Sequence, residues 1–196
     1  MLKVVIAGGF GVGKTTAVGA VSEITPLSTE EYLTQASTEV DDLEGVESKR
    51  TTTVAFDFGR LSFPEAPVPL ELLLFGTPGQ DRFVDLWYDL ARGAVGAVVL
   101  VDTRRLASSF TAVSFFEDIG LPFVVAINQF DGTHRYHPEQ VRTALELSAH
   151  APVITCDARN PDHVAGVLLA LVGQALQSIP AHSEQPAFPT AFQDVS

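Results

Sequence analysis

Apolar runs alternate with polar, helix-like stretches along most of the chain. Leu2 to Ala7 predicts a first strand and Lys14 to Ser22 a first helix. Residues 23–50 are polar and rich in acids, with Pro26 and Gly45, and read as a mobile loop with room for one short helix. Thr52 to Phe58 and Leu70 to Phe75 predict two strands, and the proline-rich FPEAPVP between them suggests a hairpin-like connection. Arg82 to Arg92 predicts a helix, and Val95 to Val101 is a continuous apolar run of the kind buried on both faces of a sheet. Ser108 to Ile119 predicts a helix and Phe123 to Ile127 another buried strand. Pro138 opens a helix reaching about His150, Pro152 to Thr155 is a short last strand, and Asp162 to Ile179 is the final helix. Residues 180–196 read as a disordered C-terminal tail. Strands alternating with helices imply an α/β fold with a mostly parallel central sheet flanked by helices. Ligands in such folds sit at the carboxyl ends of the strands.

Chemistry gathers at those ends. Gly8 to Thr15 read GGFGVGKT, between the first strand and the first helix. This is the phosphate-binding pattern G-x-x-x-x-G-K-[ST] in the strand–loop–helix context it requires. Gly9, Gly11, Val12 and Gly13 would turn backbone N–H groups toward phosphates, with Thr16 at the helix start beside them. Lys14 would reach the outer phosphates and the Thr15 hydroxyl would bind Mg2+. Lys14 is expected to face solvent when no nucleotide is bound.

A phosphate loop does not choose its base. NQFD, Asn128 to Asp131, follows the buried strand FVVAI. The Asp131 carboxylate suits the ring N–H and exocyclic amine of guanine, a donor pair that adenine lacks. Asn128 would tie this loop back toward the phosphate loop. In LLLFGTPGQDRF, Gly79 is placed to present an N–H to a terminal phosphate and Gln80 to hold an attacking water. Pro78 and Gly79 also have the sequence of a type II turn, which would itself place Gln80. In KRTTTVAFDF, Thr53 is the threonine chosen to bring a hydroxyl to Mg2+, although threonine also simply favours strands. In TCDAR, Ala158 N–H would meet the guanine carbonyl oxygen and Arg159 would lie over the ring.

In the order and spacing of these motifs, residues 1–179 resemble the Ras-like small GTPases, a P-loop NTPase fold. GGFGVGKT is similar to their phosphate loop, TTTVAFDF to the first switch, GTPGQ to the second, NQFD to the guanine-specifying motif and CDAR to the weaker last one. More narrowly, LFGTPGQDRF, VLVDTRR and NQFD resemble the bacterial GTPases of actinobacterial conservon operons. The resemblance implies GTP/GDP and Mg2+ as ligands, Gln80 as the catalytic residue, and Thr15 and Thr53 at the metal. It also implies protein partners at the switch regions, of roadblock type and sensor-kinase-like type. Three departures follow. Gly76 stands where Ras-like proteins carry aspartate, Gln129 replaces the lysine of N-K-x-D, and no arginine immediately precedes Thr53.

Composition narrows this further. The chain of 196 residues has 46% apolar residues, enough for one full core, and a formal net charge of −12. That acidity speaks against a nucleic-acid partner. The single cysteine, Cys156, permits no internal disulfide and reads as a small core residue. The longest apolar stretch, Ala94 to Val101, is eight residues and too short for a bilayer. Neither terminus carries a lipidation signal. The expectation is a cytoplasmic protein without a direct membrane anchor, reaching a membrane only through a partner. His134 and His137 form H-x-x-H without a further ligand pair and do not make a zinc site. Phe83, Trp87 and Tyr88 read equally well as core and as a partly exposed partner surface.

The expected function is a GTP-dependent switch with slow hydrolysis. Two other readings remain: a scaffold subunit that holds nucleotide and hardly hydrolyses it, and a P-loop ATPase whose metal carboxylate is Asp102, at the end of VGAVVLV.

Overall fold

The computed structural model describes residues 1–28, 56–66, 68–79 and 84–178. Thr53, Gln80, Phe83 and the expected tail lie outside the described residues. In chain order the elements are β1 (Leu2–Ala7), α1 (Lys14–Val21), β2 (Leu27–Ser28), β3 (Asp57–Phe63), β4 (Leu70–Gly76), α2 (Val84–Ala91), β5 (Ala94–Val101), a 3₁₀ segment (Thr103–Ser109), α3 (Phe110–Asp118), β6 (Phe123–Asn128), α4 (Pro138–Ala144), β7 (Val153–Cys156) and α5 (Pro161–Ser178).

The sheet order is β2-β3-β4-β1-β5-β6-β7. β1 pairs in parallel with β4 and β5, as do β5 with β6 and β6 with β7. β3 is antiparallel to β4, and β2 to β3. Central strands AVGAVVLV and FVVAIN are apolar along their length because helices cover both faces. β3 and β4 lie to one side of β1, and β4 alternates buried with half-buried positions.

Alternation along the strands builds two cores. Val4, Ile6, Val98, Leu100, Val124 and Ala126 face α1 and α5, where Val18, Val21, Leu168 and Leu171 meet them. Val5, Ala7, Val99, Val101, Val125 and Ile127 face the other side, against Trp87, Phe115, Phe116 and Val141.

Apart from the short β2, a strand at Leu27–Ser28 inside the stretch read as a loop, three elements differ from their sequence expectations. β3 runs on to Phe63, because Gly59 to Phe63 pair with Leu70 to Leu74 across the proline-rich connection. α4 stops at Ala144 rather than near His150. Glu146 takes a left-handed φ of 55°, and the turn brings Leu147 and Ala151 into the core. The third is the 3₁₀ segment, which precedes α3 and lies on the phosphate loop.

Candidate nucleotide site

Gly13 caps α1 with φ 104°, a backbone conformation that favours glycine, and no side chain caps that helix end. The first-turn N–H groups of α1 are therefore available to an anion. Lys14 folds back over the loop, its Nζ donating to Gly8 O and Gly9 O at 2.8 Å each. An ammonium has three donors, so one remains for a phosphate oxygen. Lys14 is buried, contrary to the expectation of a solvent-facing lysine. Desolvation lowers its pKa to about 8, against the opposing charge of Asp57. Thr15 and Thr16 are exposed at the start of α1, and the Thr15 hydroxyl donates to Asp57 Oδ2 at 2.7 Å.

Asn128 joins three parts of the site. Its Nδ2 donates to Val12 O at 2.9 Å, and its Oδ1 accepts from Ala158 N at 3.0 Å. The loop after β6 is thus tied to the phosphate loop and to the loop after β7. The Ala158 N–H expected at a guanine carbonyl is engaged by Asn128 instead. Gln129 accepts from Arg135 and donates its backbone N–H to Cys156 O at 2.7 Å. Asp131 takes a two-pronged contact from Arg159, 2.7 Å from Nη1 and 3.0 Å from Nη2. Arg159 also bridges to Asp157 Oδ2 at 2.9 Å. Its guanidinium holds the Asp131 carboxyl below its ordinary range and Asp157 at about 2. Burial pushes the Cys156 thiol up to about 11, which makes it a poor nucleophile at neutral pH.

Gly79 lies against the phosphate loop. A Cβ there would stand 2.5 Å from Lys14 Nζ and 2.8 Å from Phe10 Cα. Gln80 and Thr53 lie outside the described residues.

Asp102, the alternative metal carboxylate, is paired with arginines. It caps the 3₁₀ segment through Arg104 N at 3.0 Å and pairs with Arg104 Nη2 at 2.7 Å and Arg105 Nη2 at 3.4 Å. Both of its oxygens are occupied in this way. The hydrogen bond from Arg104 is the main reason its pKa falls. Arg104 in turn lies 3.8 Å from the centroid of the Phe130 ring.

Two residues without an assigned role in the sequence stand in the site. Asp57 contacts Thr15, as described. Arg105 donates to Phe10 O at 3.1 Å, which holds the 3₁₀ segment on the phosphate loop. The repeated arginines of VLVDTRR were the only signal for the second, and Asp57 had no local signal because its partners are distant in sequence.

No curated protein matches the chain. Among solved structures, the G domain of the FeoB iron transporter of T. maritima is similar, with TM-score 0.61 and 17% identity, over 89% of this chain and 99% of that one. At that identity the likeness is one of fold, a P-loop NTPase of the G-domain kind. A family described as "conserved hypothetical ATP binding protein" matches residues 6–178, from the end of β1 through α5, and the chain belongs to that family.

Proposed function

We propose that this protein is a guanine-nucleotide-dependent switch that hydrolyses GTP slowly. The observation that carries this reading is the Asn128 bridge, which ties Asp131 and Arg159 to the phosphate loop through Val12 and Ala158. In this reading the Asp131 carboxylate would meet the edge of a purine held by the loop. The Asp131–Arg159 pair is exposed, with side chains 78% and 55% accessible. Exposed pairs are weak, so exchanging Arg159 for the guanine N–H groups costs little.

Gly9, Gly11, Val12, Gly13, Lys14, Thr15 and Thr16 would hold the phosphates, and Thr15 and Thr53 would hold Mg2+. The ion would neutralise charge on the phosphate oxygens. Gln80 would orient a water whose oxygen attacks the γ-phosphorus as the bond to the β–γ bridging oxygen breaks. Gln129 would pack beside the base. The γ-phosphate would order the segments around Thr53 and Gly79, and its loss would release them to change partner affinity. The conservon-type resemblance supports roadblock-type and sensor-kinase-like proteins as those partners.

The family description names ATP, so the base is the point to test. In a competition titration against fluorescent GDP, GTP should displace the label far better than ATP. Asp131→Asn should weaken GTP roughly ten- to a hundredfold, the scale of one charge-assisted hydrogen bond, and favour xanthine nucleotides. ATP and GTP competing equally would overturn the guanine assignment and leave an adenine-nucleotide protein on the same phosphate loop.

A further inference from the structure

Gly76 lacks the carboxylate that the Ras-like resemblance leads one to expect there, yet the space is filled. In the antiparallel pairing of β3 with β4, Asp57 is the direct partner of Gly76. A Cβ added to Gly76 would lie 3.1 Å from Asp57 Cβ and 3.1 Å from its Oδ2. Positions 57 and 76 therefore compete for one volume, and only one of them can carry a carboxylate without the other giving way.

Asp57 is 7% exposed, and its Oδ2 accepts the Thr15 hydroxyl proton at 2.7 Å. Among the described residues no lysine or arginine lies within ion-pair distance of it. Its hydrogen bond among the described residues is to one neutral hydroxyl, and the Lys14 charge acts on it only from beyond ion-pair distance. A buried carboxylate so placed is costly unless a cation joins it directly. The hydroxyl in question is the one at the start of α1, beside the N–H groups that suit phosphate.

We propose that Asp57 supplies the carboxylate of the Mg2+ site, from the strand facing the one that carries Gly76. This inference rests on the nucleotide-binding reading. The donor set fits the ion. Mg2+ takes hard oxygen ligands and is commonly held by one or two carboxylates together with substrate phosphates. One carboxylate and one hydroxyl meet that need. By taking the Thr15 proton, Asp57 fixes the hydroxyl so that its oxygen lone pairs remain for the cation, and its Oδ1 remains to accept from water around it. Asp102, the other acid at a strand end, is held by Arg104 and Arg105 and is no rival for this role.

The test is the release rate of fluorescent GDP from the full chain as Mg2+ is titrated, starting in EDTA. Wild type should release nucleotide more slowly as Mg2+ rises. Asp57→Asn keeps an acceptor for the Thr15 hydroxyl but removes the charge. It should fold and still bind GDP, while the midpoint of its Mg2+ response rises roughly 10–100-fold over that of wild type. An unchanged midpoint overturns the proposal. If Asp57→Asn fails to fold by circular dichroism, the exchange Asp57→Gly with Gly76→Asp decides. It moves the carboxylate across the strand pair and should restore a Mg2+ midpoint near that of wild type. A folded exchange variant without Mg2+ response overturns the assignment. If wild type binds no guanine nucleotide in either buffer, the guanine reading has failed on its own, and the same titration with labelled ADP then tests Asp57.

Discussion

Lys14 shows at the residue scale how a binding group is prepared. Its ammonium donates to the Gly8 and Gly9 carbonyls but is largely shielded from water, and that desolvation lowers its pKa to about 8. The unfolded chain holds that proton up to about pH 10.4. Between these values the unfolded chain keeps the Lys14 proton that the folded chain has lost, so Lys14 contributes a gain in stability as pH rises from about 8 to about 10.4, opposed above about pH 9 by the Cys156 thiol, which folding keeps protonated up to about 11. Below pH 8 the cost of burying the charge is fully present. The Lys14 contribution is on the order of 3 kcal/mol, at about 1.36 kcal/mol per pKa unit. Thermal unfolding across this range should show a more positive slope in wild type than in Lys14→Met, in which the Cys156 contribution alone remains. Bound GDP should lower the wild-type slope too, because phosphate favours the charged lysine. Equal slopes in wild type and Lys14→Met would refute the burial argument.

At the scale of elements, the segment after β4 communicates with the phosphate loop through steric closeness. Gly79 has no room for a Cβ against Lys14 Nζ and Phe10. Gly79→Ala must push this segment off the loop, and overpacking of that size typically costs about 1–3 kcal/mol. A GTP analogue should lose about tenfold in affinity, and GDP less, because only the triphosphate reaches Gly79 in the proposed site. Equal losses in an equilibrium titration would remove Gly79 from γ-phosphate sensing. Gln80→Leu, one residue on, should bind GTP normally and stall single-turnover hydrolysis. Turnover at the wild-type rate would mean that another group positions the water.

Across the whole molecule, α2 links that segment to the core on one face of the sheet. Trp87 is 2% exposed, its Nε1 donates to Pro78 O at 3.3 Å, and its ring meets Phe115 edge-on at 5.5 Å. It is a core residue rather than part of a partner surface, and Trp87→Ala would cost about 3–5 kcal/mol through the cavity it leaves. Tyr88 is 53% exposed and is the better probe of partner contact. Trp87 is the sole tryptophan, and its hydrogen bond ends one residue before Gly79. Its emission should therefore differ between GDP- and GTP-analogue-loaded protein, and Tyr88→Ala should weaken partner binding while lowering the unfolding midpoint less than Trp87→Ala, since its ring also meets Phe115 edge-on at 4.8 Å. Identical spectra and partner affinities in both states would favour a nucleotide-stabilised scaffold. Among the described residues no helix is long and apolar enough to cross a membrane.

Local patterns were legible without the structure because their physics is local. Leu2 to Ala7, the glycine loop and Lys14 onward form strand, turn and helix from consecutive residues, and the apolar runs at β5 and β6 announce burial on both faces. The tie from Asn128 to Val12 was also expected, since each end belongs to its own recognisable motif. The burial of Lys14 and Trp87 was not legible, because it depends on which surfaces fold over them. Nor was the early end of α4, where core packing of Leu147 outweighed a helix-compatible sequence. Asp57 is the clearest case. Residue by residue, a glycine at position 76 looks like a lost metal ligand. The β3–β4 register sets Asp57 against it, and that alignment is fixed by strand pairing between segments with no sequence motif in common.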